Sequence, residues 1–217
     1  MINIIALCGK EGSGKSTAAR YLAKHHGFTL LNFSDPIKKM ANCLGYPMAV
    51  LEPQTEEARE MRENYVNSIT EKTGRQMLLI LGKALRENCT DKIYVNYLLD
   101  RLEPGNTYVI ADLRYPLEIE ALMDRSRFTT LFIEVLEEID GEYPHDWFVD
   151  YVSENTRREY PAYTNAFVKA VNEHRGTFAR NRKNEEFFEQ LKHYAELLRN
   201  GAYDEKPDVI DNESATY

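Results

Sequence analysis

Near the start of the chain, Gly9-Lys10-Glu11-Gly12-Ser13-Gly14-Lys15-Ser16-Thr17 satisfies G-x-x-x-x-G-K-[ST] at every position. The composition suits a loop that grips phosphate. Gly9, Gly12 and Gly14 let successive backbone N–H groups turn onto phosphate oxygens, Lys15 brings a point charge toward the outer phosphates, and the Ser16 hydroxyl is a ligand type for magnesium. Ser13 and Thr17 complete the nucleotide-binding set, and the helix that the loop opens adds its positive end.

Two further groups of chemically able residues follow. Asp112 ends the apolar run Tyr108-Val109-Ile110-Ala111, where a carboxylate can hold magnesium or its water, and Arg114 comes two residues later. Capping a helix, beside a surface arginine, is the structural alternative for Asp112. Ser34-Asp35-Pro36-Ile37-Lys38 places a carboxylate and an ammonium after a second apolar run; Asp35 could equally cap a helix that starts at Pro36.

These groups need an alternating scaffold. Ile4-Ile5-Ala6-Leu7-Cys8 reads as the strand before the loop and Thr17 to Lys24 as the helix after it. Phe28 to Phe33 suits a second strand, and Pro36 opens a helix toward Leu44-Gly45. Pro47 to Pro53 reads as irregular, Gln54 to Asn64 as a charged, exposed helix, and Gly74 to Asn88 as a buried helix carrying Met77, Leu81 and Leu85 at every fourth residue. Helices over 91–102 and 116–123 and strands over 108–111 and 129–136 complete the pattern. Strand alternating with helix predicts an α/β fold: a parallel sheet covered by helices on both faces, with ligands at the carboxyl ends of its strands.

Composition narrows the class. The 217 residues, 43% hydrophobic, suffice for one sizeable core, so a single domain with an insertion is expected. No run is long enough to span a bilayer and no basic region precedes a cleavable apolar segment, which predicts a soluble, cytoplasmic protein with no membrane partner. Cys8, Cys43 and Cys89 are widely separated and odd in number, which suggests buried thiols and neither a disulfide framework nor a zinc site. The histidines His25, His26, His145, His174 and His193 lack metal-ligand spacing, and the pair His25-His26 suits a helix end. Net charge −8 disfavours a general grip on nucleic acid.

The phosphate loop, Phe33-Ser34-Asp35-Pro36-Ile37-Lys38 and Ile110-Ala111-Asp112-Leu113-Arg114-Tyr115-Pro116-Leu117-Glu118 together resemble bacteriophage deoxynucleoside monophosphate kinases, which belong to the P-loop kinases. Thr73 to Arg86 is similar to that family's arginine-bearing helix with its Leu-Gly pair, and Asp208 to Ser214 to its Asn-rich loop beside the nucleotide base. The resemblance covers roughly residues 1–136 in order and then the C-terminal segment. It implies ATP and magnesium as cofactors, and transfer of the γ-phosphoryl group to a deoxynucleoside 5′-monophosphate. By position it assigns Lys15 and Ser16 to ATP and magnesium, Asp112 to the metal, and Asn212 to the nucleotide. Asp35 and Lys38 fall on the substrate side, with Arg75, Arg86 and Arg114 on phosphates. A substrate-side helical region is expected at about 36–103, and a phage-encoded chain would act in the host cytoplasm.

The chain departs from the family over 137–207, where about 50 extra residues predict a helical, lid-like insertion at about 138–207. Within it, residues 157–183 hold seven Lys or Arg against two Glu, a bias that attracts phosphate. Arg157, Arg158, Arg175, Arg180 and Arg182 are lid candidates; alternatively they are a solvated helix face. Val152-Ser153-Glu154-Asn155 loosely matches a Ser-Glu pair of the family's lid, and Tyr143, His145 and Trp147 could stack on a base or pack in the core. Phe187, Leu191, Tyr194 and Leu198 form a stripe that would pack the insertion down or support a homodimer.

Two rival functions share this fold. One is a kinase acting on a modified base in DNA or another small hydroxyl acceptor, with Tyr151, Tyr160, Tyr163 and Phe167 interleaved in a strand-binding surface. The other is a nucleotide-dependent switch or motor, for which no water-positioning signature is present.

Overall fold

A computed structural model describes residues 1–10, 12–124, 126–137, 167–172 and 176–201, without the side chains of 56, 136–137, 167–172 and 176–184. In chain order the elements are β1 (Ile2–Cys8), α1 (Lys15–His26), β2 (Thr29–Leu31), α2 (Asp35–Cys43), α3 (Met48–Leu51), α4 (Glu56–Asn64), β3 (Val66–Asn67) and β4 (Lys72–Thr73). There follow α5 (Gly74–Asn88), α6 (Ile93–Leu99), β5 (Thr107–Ile110), α7 (Pro116–Leu122), β6 (Phe128–Glu137), β7 (Phe167–Asn172) and α8 (Gly176–Arg199). They divide into two compact units, Met1–Leu31 with Glu103–Tyr217, and Asn32–Leu102. The predicted substrate-side region falls on the second.

The first unit is built on a parallel sheet in the order β2-β5-β1-β6-β7. β1 lies at its centre because every residue from Ile4 to Cys8 is apolar and fully buried, as a strand covered on both faces requires. On one face Ile5, Leu7, Val109, Leu131, Ile133 and Val135 pack with Ala18, Ala19 and Leu22 of α1 and with Phe187, Leu191, Ala195 and Leu198 of α8. On the other, the Thr130 hydroxyl donates to the Leu122 carbonyl at 2.7 Å, which seats α7 against β6. The sequence therefore supplies the doubly covered parallel sheet expected of it.

Helix α8 confirms the stripe: Phe187, Leu191 and Leu198 are buried, and Tyr194 is partly so. At about 2 kcal/mol for each large apolar side chain removed from water, this face makes α8 a wall of the core. Ahead of it, Phe167–Asn172 departs from the helical insertion expected over 138–207, because it pairs with β6 from Phe132↔Phe167 to Glu137↔Asn172. Lys169 interrupts its apolar run, and a lysine is common in a strand at a sheet edge.

The C-terminal end of α1 is tied to α8. Tyr21 stacks on Phe188 with ring centroids 4.3 Å apart, and Arg199 donates to the His26 carbonyl while lying over the Phe28 ring. The cap itself is Gly27, in the left-handed region at φ 63°, so the His25-His26 pair sits just inside the end it was expected to cap. His26 Nε2 is buried without a hydrogen-bond partner. Burial first, then the positive charges of Arg199, His25 and Lys192, hold its pKa below the ordinary value of 6.5, against an opposing pull from Glu196. A depressed histidine pKa means that the unfolded chain binds the extra proton more readily. Its stabilising contribution is thus complete above about pH 6.5 and is lost as pH falls through the folded value. Melting temperatures at pH 7.5 and 5.5 should drop more in the natural chain than in His26→Gln; equal drops would refute this.

The second unit packs Ala41, Tyr46, Leu51 and Met77, with Leu78 and Leu81 against them. Thr73 and Gln76 form a capping box that starts α5 where the periodicity places it. Gly82 is buried on the side of α5 that faces Ile37 of α2, where a Cβ would make ordinary contact at 3.4 Å. Several expectations need correction here. Helix α5 is only half-buried, with Leu79 65% and Ile80 46% exposed, because the apolar stripe is wider than the surface that covers it. The segment expected to be irregular contains α3, and a hairpin of β3 and β4 lies unforeseen between α4 and α5. Cys8 is buried as expected, whereas Cys43 ends α2, Cys89 caps α5, and both are exposed.

Candidate functional site

The motif begins directly after β1, at the carboxyl end of the central strand, and its Lys15, Ser16 and Thr17 open α1. Gly9 has φ 130°, and a Cβ there would meet the Val135 carbonyl oxygen at 2.3 Å. Gly14, the N-cap of α1, has φ 105°. Both positions therefore exclude ordinary side chains, for conformational reasons at each and steric ones at Gly9. The Lys15 ammonium donates to the carbonyl oxygens of Gly9, at 2.6 Å, and of Lys10, which draws the loop around it.

Ser13 is buried within the loop, while Ser16 and Thr17 are exposed in the first turn of α1. That turn has no acidic residue and no side-chain cap, so its positive end is not offset from within the helix. These features fit a nucleotide polyphosphate. The exposed Ser16 hydroxyl and the Asp112 carboxylate are hard oxygen donors of the kind magnesium takes.

Asp112 follows β5, which pairs with β1, and the next amide, of Leu113, donates to the Leu7 carbonyl at 3.3 Å. The capping alternative for Asp112 does not hold. The N-cap of α7 is Tyr115, and Glu118 reaches back to accept from the amides of Arg114 at 2.7 Å and Tyr115 at 3.0 Å. Glu118 is only 3% exposed, and two charge-assisted bonds repay its burial. It shapes the turn carrying Asp112 and Arg114, a role that S/T-x-x-E spacing would have revealed had the cap been Ser or Thr. Arg114 itself is exposed.

In the second unit, Asp35 and Lys38 share the first turns of α2, where an acidic residue suits the helix dipole. Ser34 is the N-cap, so Asp35 does not serve in that role. Its carboxylate instead accepts from the Asn32 amide at 3.0 Å and from the Asn32 side chain at 3.1 Å. Lys38 bridges Asp35 at 3.5 Å and Glu52 at 2.9 Å. Arg75 pairs with Glu63 of α4 at 3.3 Å, whereas Arg86 lies over the Tyr94 ring, 4.7 Å from its centroid. With a rise of about 1.5 Å per residue, Arg75 and Arg86 are separated by about 16 Å along α5. The unit thus joins Asp35 to Lys38 and keeps the two arginines apart.

Sequence reading passed over Glu52, whose link to Lys38 spans an intervening turn and helix, and Glu134, which was absorbed into an apolar strand. Glu134 is 1% exposed and pairs in register with Cys8, the residue before the loop. Asn212, Arg157, Arg158, Arg175, the pair Ser153-Glu154, and Tyr143, His145, Trp147, Tyr151, Tyr160 and Tyr163 lie outside the described residues. Arg180 and Arg182 fall on α8 and Phe167 on β7, their side chains outside the described ones. Among the described residues no helix is long and apolar enough to cross a membrane.

A family model described as an AAA domain matches residues 5–170, from β1 through the loop and into β7. A protein of Acanthamoeba polyphaga mimivirus, provisionally assigned as a deoxynucleotide monophosphate kinase, is 34% identical over 90 residues. The match covers 42% of this chain and 45% of the viral protein, less than half the length of that relative. Among solved structures, a provisionally assigned kinase of Chloroflexus aurantiacus overlaps 92% of this chain and 97% of its own at 16% identity, with a TM-score of 0.42. Shikimate kinase of Acinetobacter baumannii in complex with shikimate overlaps 88% and 93% at 15% identity, with a TM-score of 0.35.

Proposed function

The chain belongs to the AAA-domain family, and from that premise we propose that it is an ATP-dependent kinase acting on a deoxynucleoside 5′-monophosphate. The observation that carries the reading is the loop: a glycine that tolerates no Cβ, a lysine folded onto loop carbonyls, and an exposed serine opening an uncapped helix. That combination binds polyphosphate. The acceptor is inferred from the Asp-Leu-Arg-Tyr-Pro-Leu-Glu and Ser-Asp-Pro-Ile-Lys segments, and from the partial likeness to the viral protein.

Phosphoryl transfer leaves little covalent work for a protein, so catalysis consists of positioning and charge neutralisation. In this reading the loop amides and Lys15 hold the donor's phosphates and offset the charge that builds as the γ-phosphoryl group departs. Ser16 and Asp112 would hold magnesium, which would supply charge neutralisation for the phosphates. Transfer is direct, with no covalent intermediate on the protein, and Asp35 orients Lys38 on the acceptor side. Arg75, Arg86 and Arg114 complete the phosphate ligands. Asn212 contacts the nucleotide, and Arg157, Arg158 and Arg175 serve as lid residues over the bound nucleotides.

Coupled ADP release measured across all deoxynucleoside and ribonucleoside monophosphates, with single-stranded DNA as a parallel acceptor, tests the proposal. The expected result is turnover of at least one free deoxynucleoside monophosphate and none of DNA. ADP release that is independent of every monophosphate would refute it.

A further inference from the structure

We propose that Glu52 is a positioning residue of the acceptor-phosphate subsite, an internal counter-anion that holds Lys38 and that an arriving phosphate monoester displaces. The inference rests on the reading of Lys38 as a phosphate ligand. Lys38 Nζ lies 2.9 Å from Glu52 Oε1 and 3.5 Å from Asp35 Oδ1, its side chain 15% exposed. Two carboxylates on one ammonium give the three side chains a net charge of −1, which repels a phosphate dianion as they stand.

The two carboxylates are held very differently. Asp35 is 19% exposed, sits in the first turn of α2, and accepts from both the backbone amide and the side chain of Asn32. Glu52 is 40% exposed and follows the four-residue helix α3, with a longer side chain reaching Lys38 from outside α2. Asp35 is therefore the fixed support and Glu52 the partner that can leave. Once Glu52 turns to solvent, Lys38 has one carboxylate behind it and a phosphate in front, the usual arrangement of a charge-assisted anion site. Glu52 keeps Lys38 pointed outward before substrate arrives, and its competition weakens phosphate binding.

The test compares four proteins: the natural chain, Glu52→Gln, Lys38→Met and the double variant. Binding of inorganic phosphate is measured at constant ionic strength, together with KM and kcat for the best monophosphate. Glu52→Gln should bind phosphate about two- to fivefold more tightly and show a similar fall in KM, as expected for removing one partly exposed competing charge. In the Lys38→Met background the same change should have no effect; phosphate bound at the glycine-rich loop contributes equally to all four and cancels in the cycle. Glu52→Asp, which keeps the charge, should restore the natural affinity. A lower melting temperature with unchanged phosphate affinity would overturn the proposal by reducing Glu52 to a surface tether of α3. So would a gain that persists without Lys38. If no monophosphate is turned over, the kinase reading fails, yet the phosphate-binding cycle still decides the role of Glu52.

Discussion

Lys15→Ala is expected to fold normally and to lose phosphoryl transfer by about a thousandfold or more, the scale of removing a charge that acts on the transition state. Folding should survive because Lys15 donates to the carbonyls of Gly9 and Lys10 in the loop just before it and belongs to no apolar cluster. Water can replace the ammonium at the exposed Lys10. The strand and helix on either side are secured by Ile5, Leu7, Ala18, Ala19 and Leu22, all fully buried. Catalysis should not survive, because no neutral side chain at position 15 can follow the negative charge as it moves toward the leaving group. Single-turnover ADP formation with a thermal melt on the same sample measures both claims. Near-natural turnover in the folded variant would exclude the loop from the chemistry.

Asp112→Asn is expected to raise the magnesium concentration needed for half-maximal rate about tenfold and to slow turnover at least as much, since an amide is a weaker ligand for a hard cation than a carboxylate. The exchange keeps size and shape. It also leaves α7 capped, because Glu118 and not Asp112 accepts the amides of Arg114 and Tyr115. A stability loss would therefore not be the ordinary loss of a cap. Initial rates across a magnesium titration, at saturating nucleotide, give the answer. An unchanged magnesium profile would assign Asp112 to the architecture of the strand end, while Arg114 could still bind phosphate.

The parts of this molecule that could be read in advance are those governed by near neighbours. The strand–loop–helix unit was legible because β1 is apolar from Ile4 to Cys8 and because Gly9 and Gly14 adopt positive φ values that other residues avoid. Helix α5 spans the predicted Gly74–Asn88, since a capping box and an apolar period lie within those residues. The stripe on α8 was legible for the same reason, its spacing matching the turn of a helix. Even the outward-facing error is local: periodicity indicates which residues share a face, and Ile80 widened the stripe beyond what the unit covers.

What the sequence determined by itself, then, is the phosphate loop, the alternation of strand and helix, and the residue types available for chemistry. Tertiary structure alone decided which of those residues meet. Phe167–Asn172 becomes a strand beside β6 through pairings that begin 35 positions apart, at Phe132↔Phe167. Lys38 acquires Glu52 across a turn and the helix α3, and Tyr115 takes the cap that Asp112 was a candidate for, with Glu118 reaching back to it. Torsional preference and amphipathic period act over a few bonds and are written in consecutive residues. A distant pairing must first offset the entropy of closing the chain between its partners, so it is selected only when the packing of the whole unit favours it.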